Sequence, residues 1–212
     1  KEKSFKGGAI ALFATNNMPP TNTEALTTIG NLYDVLAILF EKAQTDIQST
    51  KKKLTNTRPS TARLDSYFNL AKHYFNLLAK HYPEIDSFFK ATNKKVVTSK
   101  NRGSFGGHIL FRPMGLEIFT TIVATLTNKG MSLEKAVDAT SKLPHNLNEP
   151  PYEGLIWDSK TKRILGTSNK VSLREILLYM LNASKWGEQE LLERYRKETG
   201  DDRELPKPVV ID

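Results

Sequence analysis

The sequence predicts a mainly α, multi-helix domain with one small β-hairpin, and three observations carry that expectation. Segments 29–43, 64–82, 118–126 and 173–181 each place apolar residues at the spacing of one helix face, over lengths beyond a typical strand. The apolar tripeptide Leu155-Ile156-Trp157 and the stretch Arg163-Ile164-Leu165 flank a polar turn, the only convincing strand pair in the chain. Hydrophobic residues at 39% and charged ones at 25% describe an ordinary globular protein rather than a disordered one. With 212 residues and no internal repeat, a single helical domain over the whole chain is expected.

Residues 5–14 are apolar but too short and glycine-rich to assign by period. Asn16-Asn17-Met18-Pro19-Pro20 then breaks the chain. Thr21 with Glu24 three residues on makes a capping box. The helix it opens carries Ile29, Leu32, Tyr33, Leu36, Phe40 and Ala43 on one face and is expected to run to about residue 47. Residues 48–59 are polar and basic, with Leu54 alone apolar, and read as an exposed, protease-sensitive loop. A second long helix over 60–82 bears Leu64, Tyr67, Phe68, Ala71, Tyr74, Phe75, Leu78 and Tyr82. That spacing makes its aromatics core residues rather than a base-stacking platform. Pro83 ends or kinks it, and 84–91 add two turns. His73 and His81 lie two helical turns apart, with no carboxylate or third histidine at ligand spacing, so no metal site is expected.

A basic, glycine-rich loop then leads into an apolar helix that starts at Pro113 and turns Ile118, Phe119, Ile122, Val123 and Leu126 to the core. Gly130 stands just past its end. Arg102, Gly103, Gly106, Gly107, His108 and Arg112 bring backbone N–H groups and positive charge to a helix N-terminus. That is the physical recipe for an anion site, with phosphate the usual anion. The other reading is that the glycines only turn the chain and the arginines are solvated; no Walker-type spacing decides the matter. Glu117, alone beside arginines, reads as a structural ion-pair partner rather than a general base.

Ser132 caps a short helix with Leu133, Ala136, Val137, Thr140 and Leu143, closed by Pro144. Residues 144–153 hold three prolines and form a connector to the hairpin near 154–166. Ser172 and Glu175 form a second capping box before a helix with Leu173, Ile176, Leu177, Met180 and Leu181 inward. Gly187 separates it from a last charged helix ending near Gly200, and the tail after Asp201 reads as extended and poorly anchored.

The formal charge is +8, and its distribution says more than its total. Residues 51–64 hold five basic side chains and no acid; residues 87–116 hold six, again with no acid. Such segregation suggests a polyanion-facing surface built from the basic loops at 48–59 and 94–112, the alternative being two solvated lysine-rich loops. The candidate phosphate contacts are Lys51, Lys52, Lys53, Arg58, Arg63, Lys100, Arg102, Gly106, Gly107, His108 and Arg112. The absence of cysteine excludes disulfides, thiolate zinc sites and cysteine nucleophiles. No apolar run reaches membrane-spanning length, and no H-E-x-x-H, G-x-S-x-G or P-loop occurs. The expectation is a cytoplasmic protein with no membrane partner, cofactor, metal or evident catalytic residue.

Two stretches resemble one family. Leu12-Phe13-Ala14-Thr15-Asn16-Asn17-Met18-Pro19-Pro20-Thr21, followed by Ala25-Leu26-Thr27-Thr28-Ile29-Gly30-Asn31-Leu32-Tyr33-Asp34, is similar to a segment of DndB-like (DGQHR-domain) proteins. His108-Ile109-Leu110-Phe111-Arg112-Pro113-Met114-Gly115-Leu116-Glu117 resembles the same family's step into a late central helix. Together they span most of residues 9–126. The resemblance implies a DNA-binding component, and specifically a transcription regulator, of a bacterial phosphorothioation, restriction-modification or defence system. Other proteins of such an operon are then expected partners. A nucleotide-binding or hydrolysing subunit, or a protein-docking scaffold, is the alternative. The Asp-Gly-Gln-His-Arg motif itself does not occur, so nothing tied to it carries over. The expectation is a divergent relative, or a helical part without its N-terminal ParB-like lobe.

Overall fold

The structure, a computed structural model, describes residues 9–12, 18, 22–42 and 49–211. Among them nine α-helices and two small two-stranded sheets make a mainly α, multi-helix fold. Its centre is α6 (Pro113–Asn128), in which eleven of sixteen residues are buried. A helix apolar on most of its circumference needs cover on several sides. Here α1 (Ile29–Lys42), α7 (Leu133–Ser141) and α8 (Lys170–Met180) pack on it, together with a 3-10 turn at Ile109–Phe111. Pro113 occupies the first turn, where its missing N–H costs nothing, and Gly130 just past the end has φ 98°.

The long helix α3 (Thr61–His81) starts where Ser60 accepts the Arg63 N–H, and it buries Tyr67, Tyr74, Phe75, Leu77 and Leu78. Two buried phenols find partners on neighbouring helices. Tyr74 bonds Thr120 at 2.8 Å, and Tyr82 donates to Thr140 at 2.8 Å. Pro83 opens α4 (Pro83–Lys90). Ser132 caps α7 as expected by accepting the Lys135 N–H. Trp157–Asp158 (β3) and Arg163–Ile164 (β4) form the antiparallel hairpin, with Asp158 accepting the Lys160 and Thr161 N–H groups in its turn. The final helix α9 (Glu188–Thr199) ends at Gly200 in the left-handed conformation.

Several local expectations are corrected. The 48–59 segment is not all loop. Thr50 caps α2 (Lys51–Asn56), a short helix that lays Leu54 against the core. The 94–112 segment likewise opens with α5 (Lys94–Asn101), and the glycine-rich turn comes only after that helix. A second strand pair exists, because Ile10–Ala11 (β1) pairs in parallel with Thr27–Thr28 (β2). Thr21 lies outside the described residues, while Asn22 accepts the Glu24 and Ala25 N–H groups in an Asx turn. The first helix therefore begins at Ile29, with Thr28 accepting the Asn31 N–H. Its end expected near 47 and the inward Ala43 also fall outside the described residues.

On α1 the deeply buried face is Val35, Leu39 and Phe40, while Ile29 and Tyr33 are exposed; on α3, Leu64 and Phe68 are exposed. Ser172 and Glu175 do not cap, since α8 starts two residues earlier. Ser172 donates instead to Glu198 (2.7 Å), and Glu175, 2% exposed, takes bonds from Arg174 (2.9 Å), Ser184 and the Lys185 N–H. The C-terminal tail is extended yet well anchored. Arg203 donates to the Glu153 carbonyl (2.6 Å), the Val209 N–H to the Met180 carbonyl (2.8 Å), and Leu205, Val209 and Ile211 pack on the core.

Candidate nucleic-acid interface

The two basic segments reach the surface in different ways. Lysines dominate α2 because no apolar period asks for burial there, and Lys52, Lys53 and the nearby Arg58 are exposed. Lys51 contributes its backbone to the first turn of α2. The helix runs back along α1: the Ser49 N–H meets the Phe40 carbonyl at 2.9 Å, and Thr55 meets the Tyr33 hydroxyl at 2.6 Å. Arg63 is half-buried, its Nε donating to the Tyr67 hydroxyl at 3.0 Å. On α5, Lys95 and Lys100 are exposed, whereas Lys94 is buried, donates to the Phe88 carbonyl and lies 4.8 Å from that ring's centroid. Burial lowers the Lys94 pKa.

The glycine-rich turn collects Arg102, Gly106, Gly107, His108 and Arg112, as the spacing suggests, but the two arginines donate to backbone carbonyls of the fold. Arg102 donates to four backbone carbonyls: Phe111 at 2.6 Å, Ala25 at 2.6 Å, Leu26 at 2.9 Å and Asn22 at 3.4 Å. Burial, then the charge of Arg112, brings its pKa down to about 10, which leaves it protonated at neutral pH. Arg112 Nη2 donates to the carbonyls of Gly103 (3.0 Å) and Gly106 (2.9 Å), and its guanidinium lies 5.5 Å from the centroid of Trp157. Glu117 pairs with Lys170 at 2.8 Å rather than with Arg112. Neither arginine is a solvated bystander; both stitch backbone together.

Gly106 and Gly107 take positive φ, and the Gly106 N–H is used on the Gly103 carbonyl at 3.2 Å. Gly107 also has no room for a side chain, since a Cβ would come 2.3 Å from the Asn101 carbonyl oxygen. The glycines thus fold the turn onto the end of α5. His108 is 7% exposed; its Nδ1 accepts the Leu110 N–H at 3.1 Å, and its ring stacks on His145 with centroids 4.7 Å apart. Burial, then His145, lowers its pKa to about 3, so it is neutral at pH 7 and adds no positive charge. Glu84 stands 3.7 Å from its Nε2. No group of three metal-ligating side chains occurs among the described residues, and none of their helices is long and apolar enough to cross a membrane.

The residues of Leu110-Phe111-Arg112-Pro113 and Gly115, which carry half of the family resemblance, each have a packing role. Leu110 and Phe111 are fully buried, Arg112 ties the turn, Pro113 starts α6, and Gly115 lets the Ile109 carbonyl approach to 2.1 Å from where a Cβ would stand. Of the other half, residues 13–17 and 19–21 fall outside the described residues, while 25–34 supply β2 and the first turns of α1.

One surface residue escaped the sequence reading. Phe105, at the tip of the turn, is 54% exposed. Its sequence signal is an aromatic set between Gly103 and the Gly106-Gly107 pair. The outward chemistry of the two segments is thus Lys52, Lys53, Arg58, Lys95 and Lys100 with one aromatic ring. Compared with known family models, curated proteins and solved structures, the chain matches none.

Proposed function

We propose that this chain is a nucleic-acid-contacting domain that grips phosphates through Lys52, Lys53 and Arg58 beside α2 and Lys100 on α5. The observation that carries the reading is the exposure of these cations within two acid-free segments of a chain of net charge +8. Lysines of this kind neutralise phosphates and release condensed counterions, which positions a nucleic acid without reading its sequence. Arg102 and Arg112 leave the phosphate set and become the frame of the turn, since Arg102 donates to four carbonyls and Arg112 Nη2 to two. The resemblance to DndB-like proteins supports DNA as the polyanion and a role in DNA modification, its regulation or defence.

Salt-dependent binding of labelled duplex DNA tests the reading. Each phosphate contact removed from Lys52, Lys53 and Arg58 by alanine should lower the log–log salt slope by about 0.9. Arg102→Ala should instead lower the melting temperature and leave the slope unchanged. A Lys52→Ala/Lys53→Ala/Arg58→Ala protein with the parental slope would overturn the proposal.

A further inference from the structure

We infer that Phe105 is a stacking platform for an unpaired base, so that this domain holds single-stranded nucleic acid in preference to duplex. The inference rests on the phosphate-contact reading above and specifies the form of nucleic acid taken. An exposed aromatic by itself means little. What distinguishes Phe105 is how firmly its turn is held. Arg112 donates to the carbonyls on either side of it, at Gly103 and Gly106, and the Asn148 side chain donates to the carbonyl of Phe105 itself. Asn148 is in turn fixed by the Trp157 indole N–H at 2.9 Å.

The ring is seated as well as the backbone. A Cβ on Gly103 would fall 2.1 Å from the ring's Cε1, so the ring lies directly against bare backbone, and its 54% exposure leaves the rest open to solvent. A ring backed on one side by its own turn loses less rotamer freedom than a free one when something stacks on its other face.

The surroundings select the occupant. The turn folds back onto the end of α5, where the His108 N–H meets the Asn101 carbonyl at 2.9 Å, and Lys100 and Lys95 are exposed on that helix. Residues 87–116 hold no acid, and on the connector that carries Asn148 the Glu149 carboxylate accepts from the Asn146 side chain. Lysine is depleted in protein-docking interfaces but suits a phosphate backbone flanking a stacked base. Every base offers a π-face, yet in a duplex those faces are already occupied by neighbouring pairs. An exposed ring in an acid-free segment, on a turn folded onto a helix with exposed lysines, therefore favours the single strand.

Binding of labelled poly(dT) and of a duplex of equal length to the full chain decides the matter, using wild type, Phe105→Ala and Phe105→Trp. The alanine variant should bind poly(dT) about tenfold more weakly and duplex within about twofold of wild type. Tryptophan should restore the affinity, and its emission should be quenched by poly(dT) beyond any change shown by wild type, whose Trp157 and Trp186 supply the background. Unchanged poly(dT) affinity in Phe105→Ala, equal loss on both forms, or an unquenched Trp variant would each overturn the inference. Failure of wild type to bind either form would sink the phosphate reading along with it. Binding that depends on Lys52, Lys53 and Arg58 but not on Phe105 would sink this inference alone.

Discussion

His108 and His145 bury two titratable rings face to face. Their rings stack at 4.7 Å, both Nε2 atoms are buried without a hydrogen-bond partner, and Tyr82, Phe111 and Phe119 press on them. The pair joins two distant stretches of chain, since the Ile109 N–H meets the His145 carbonyl (2.8 Å) and the Leu147 N–H meets that of Gly107 (2.9 Å). Burial holds the His108 pKa at about 3 and also lowers that of His145. A histidine depressed in the folded state binds its proton more readily when unfolded. Its stabilising contribution is therefore complete above the ordinary value near 6.5 and is lost as the pH falls from there towards 3. For His108 alone this amounts to about 2 kcal/mol near pH 5. His108→Asn keeps an acceptor for the Leu110 N–H but removes the titration. It should melt lower than wild type at pH 7 and show a flatter decline down to pH 5; parallel melting curves against pH would refute the assignment.

At the scale of elements, α2 is the weak point. Six residues cannot hold a helix by themselves, and α2 relies on the Thr50 cap, on Leu54 and on the Thr55 contact with Tyr33. By contrast α6 is surrounded on several sides, and α3 runs 21 residues and buries Tyr67, Tyr74, Phe75, Leu77 and Leu78. Limited trypsin digestion should therefore cut first, within residues 49–211, after Lys51, Lys52 or Lys53, because a protease needs a locally unfolded stretch. Arg58 is followed by Pro59, which blocks cleavage there. A first cut at Lys160 or Lys162 in the hairpin turn, or within α5, would contradict this ranking. Nucleic acid bound at α2 should slow the same cleavage.

For the molecule as a whole, the tail closes the core rather than trailing from it. Arg203 bridges the Glu153 carbonyl, Asp201 and the face of Tyr195, and the hydrogen bonds with Asp201 and Tyr195 raise its pKa. Beyond it Leu205, Val209 and Ile211 cover apolar surface that α8 and α9 would otherwise expose. Ending the chain after Gly200 should cost about 2–4 kcal/mol, equivalent to a fall of roughly 5–15 °C in melting temperature. A truncated protein melting within about 2 °C of the full chain would show the tail to be passive.

Features with local causes were legible in the amino-acid sequence. The stripe of α3, the Ser60 and Ser132 caps, Pro113 and Gly130 bracketing α6, Gly200 closing α9 and the hairpin turn at Asp158 all depend on residues within a few positions of one another. Periodicity and capping chemistry record such interactions directly. Only tertiary structure decided the rest. The helices α2 and α5 carry charge without apolar period, and β1 pairs with a strand some way along the chain, so neither leaves a local mark. The site shows this most sharply. Arg102 looks like a phosphate ligand in sequence, but three of the four carbonyls that absorb it belong to Asn22, Ala25 and Leu26, 76–80 residues away. Whether a guanidinium faces a ligand or its own backbone depends on which acceptors folding brings to it, and a buried charge takes whatever partners it can reach. The same folding seats Phe105 on Gly103 and leaves its ring to the solvent.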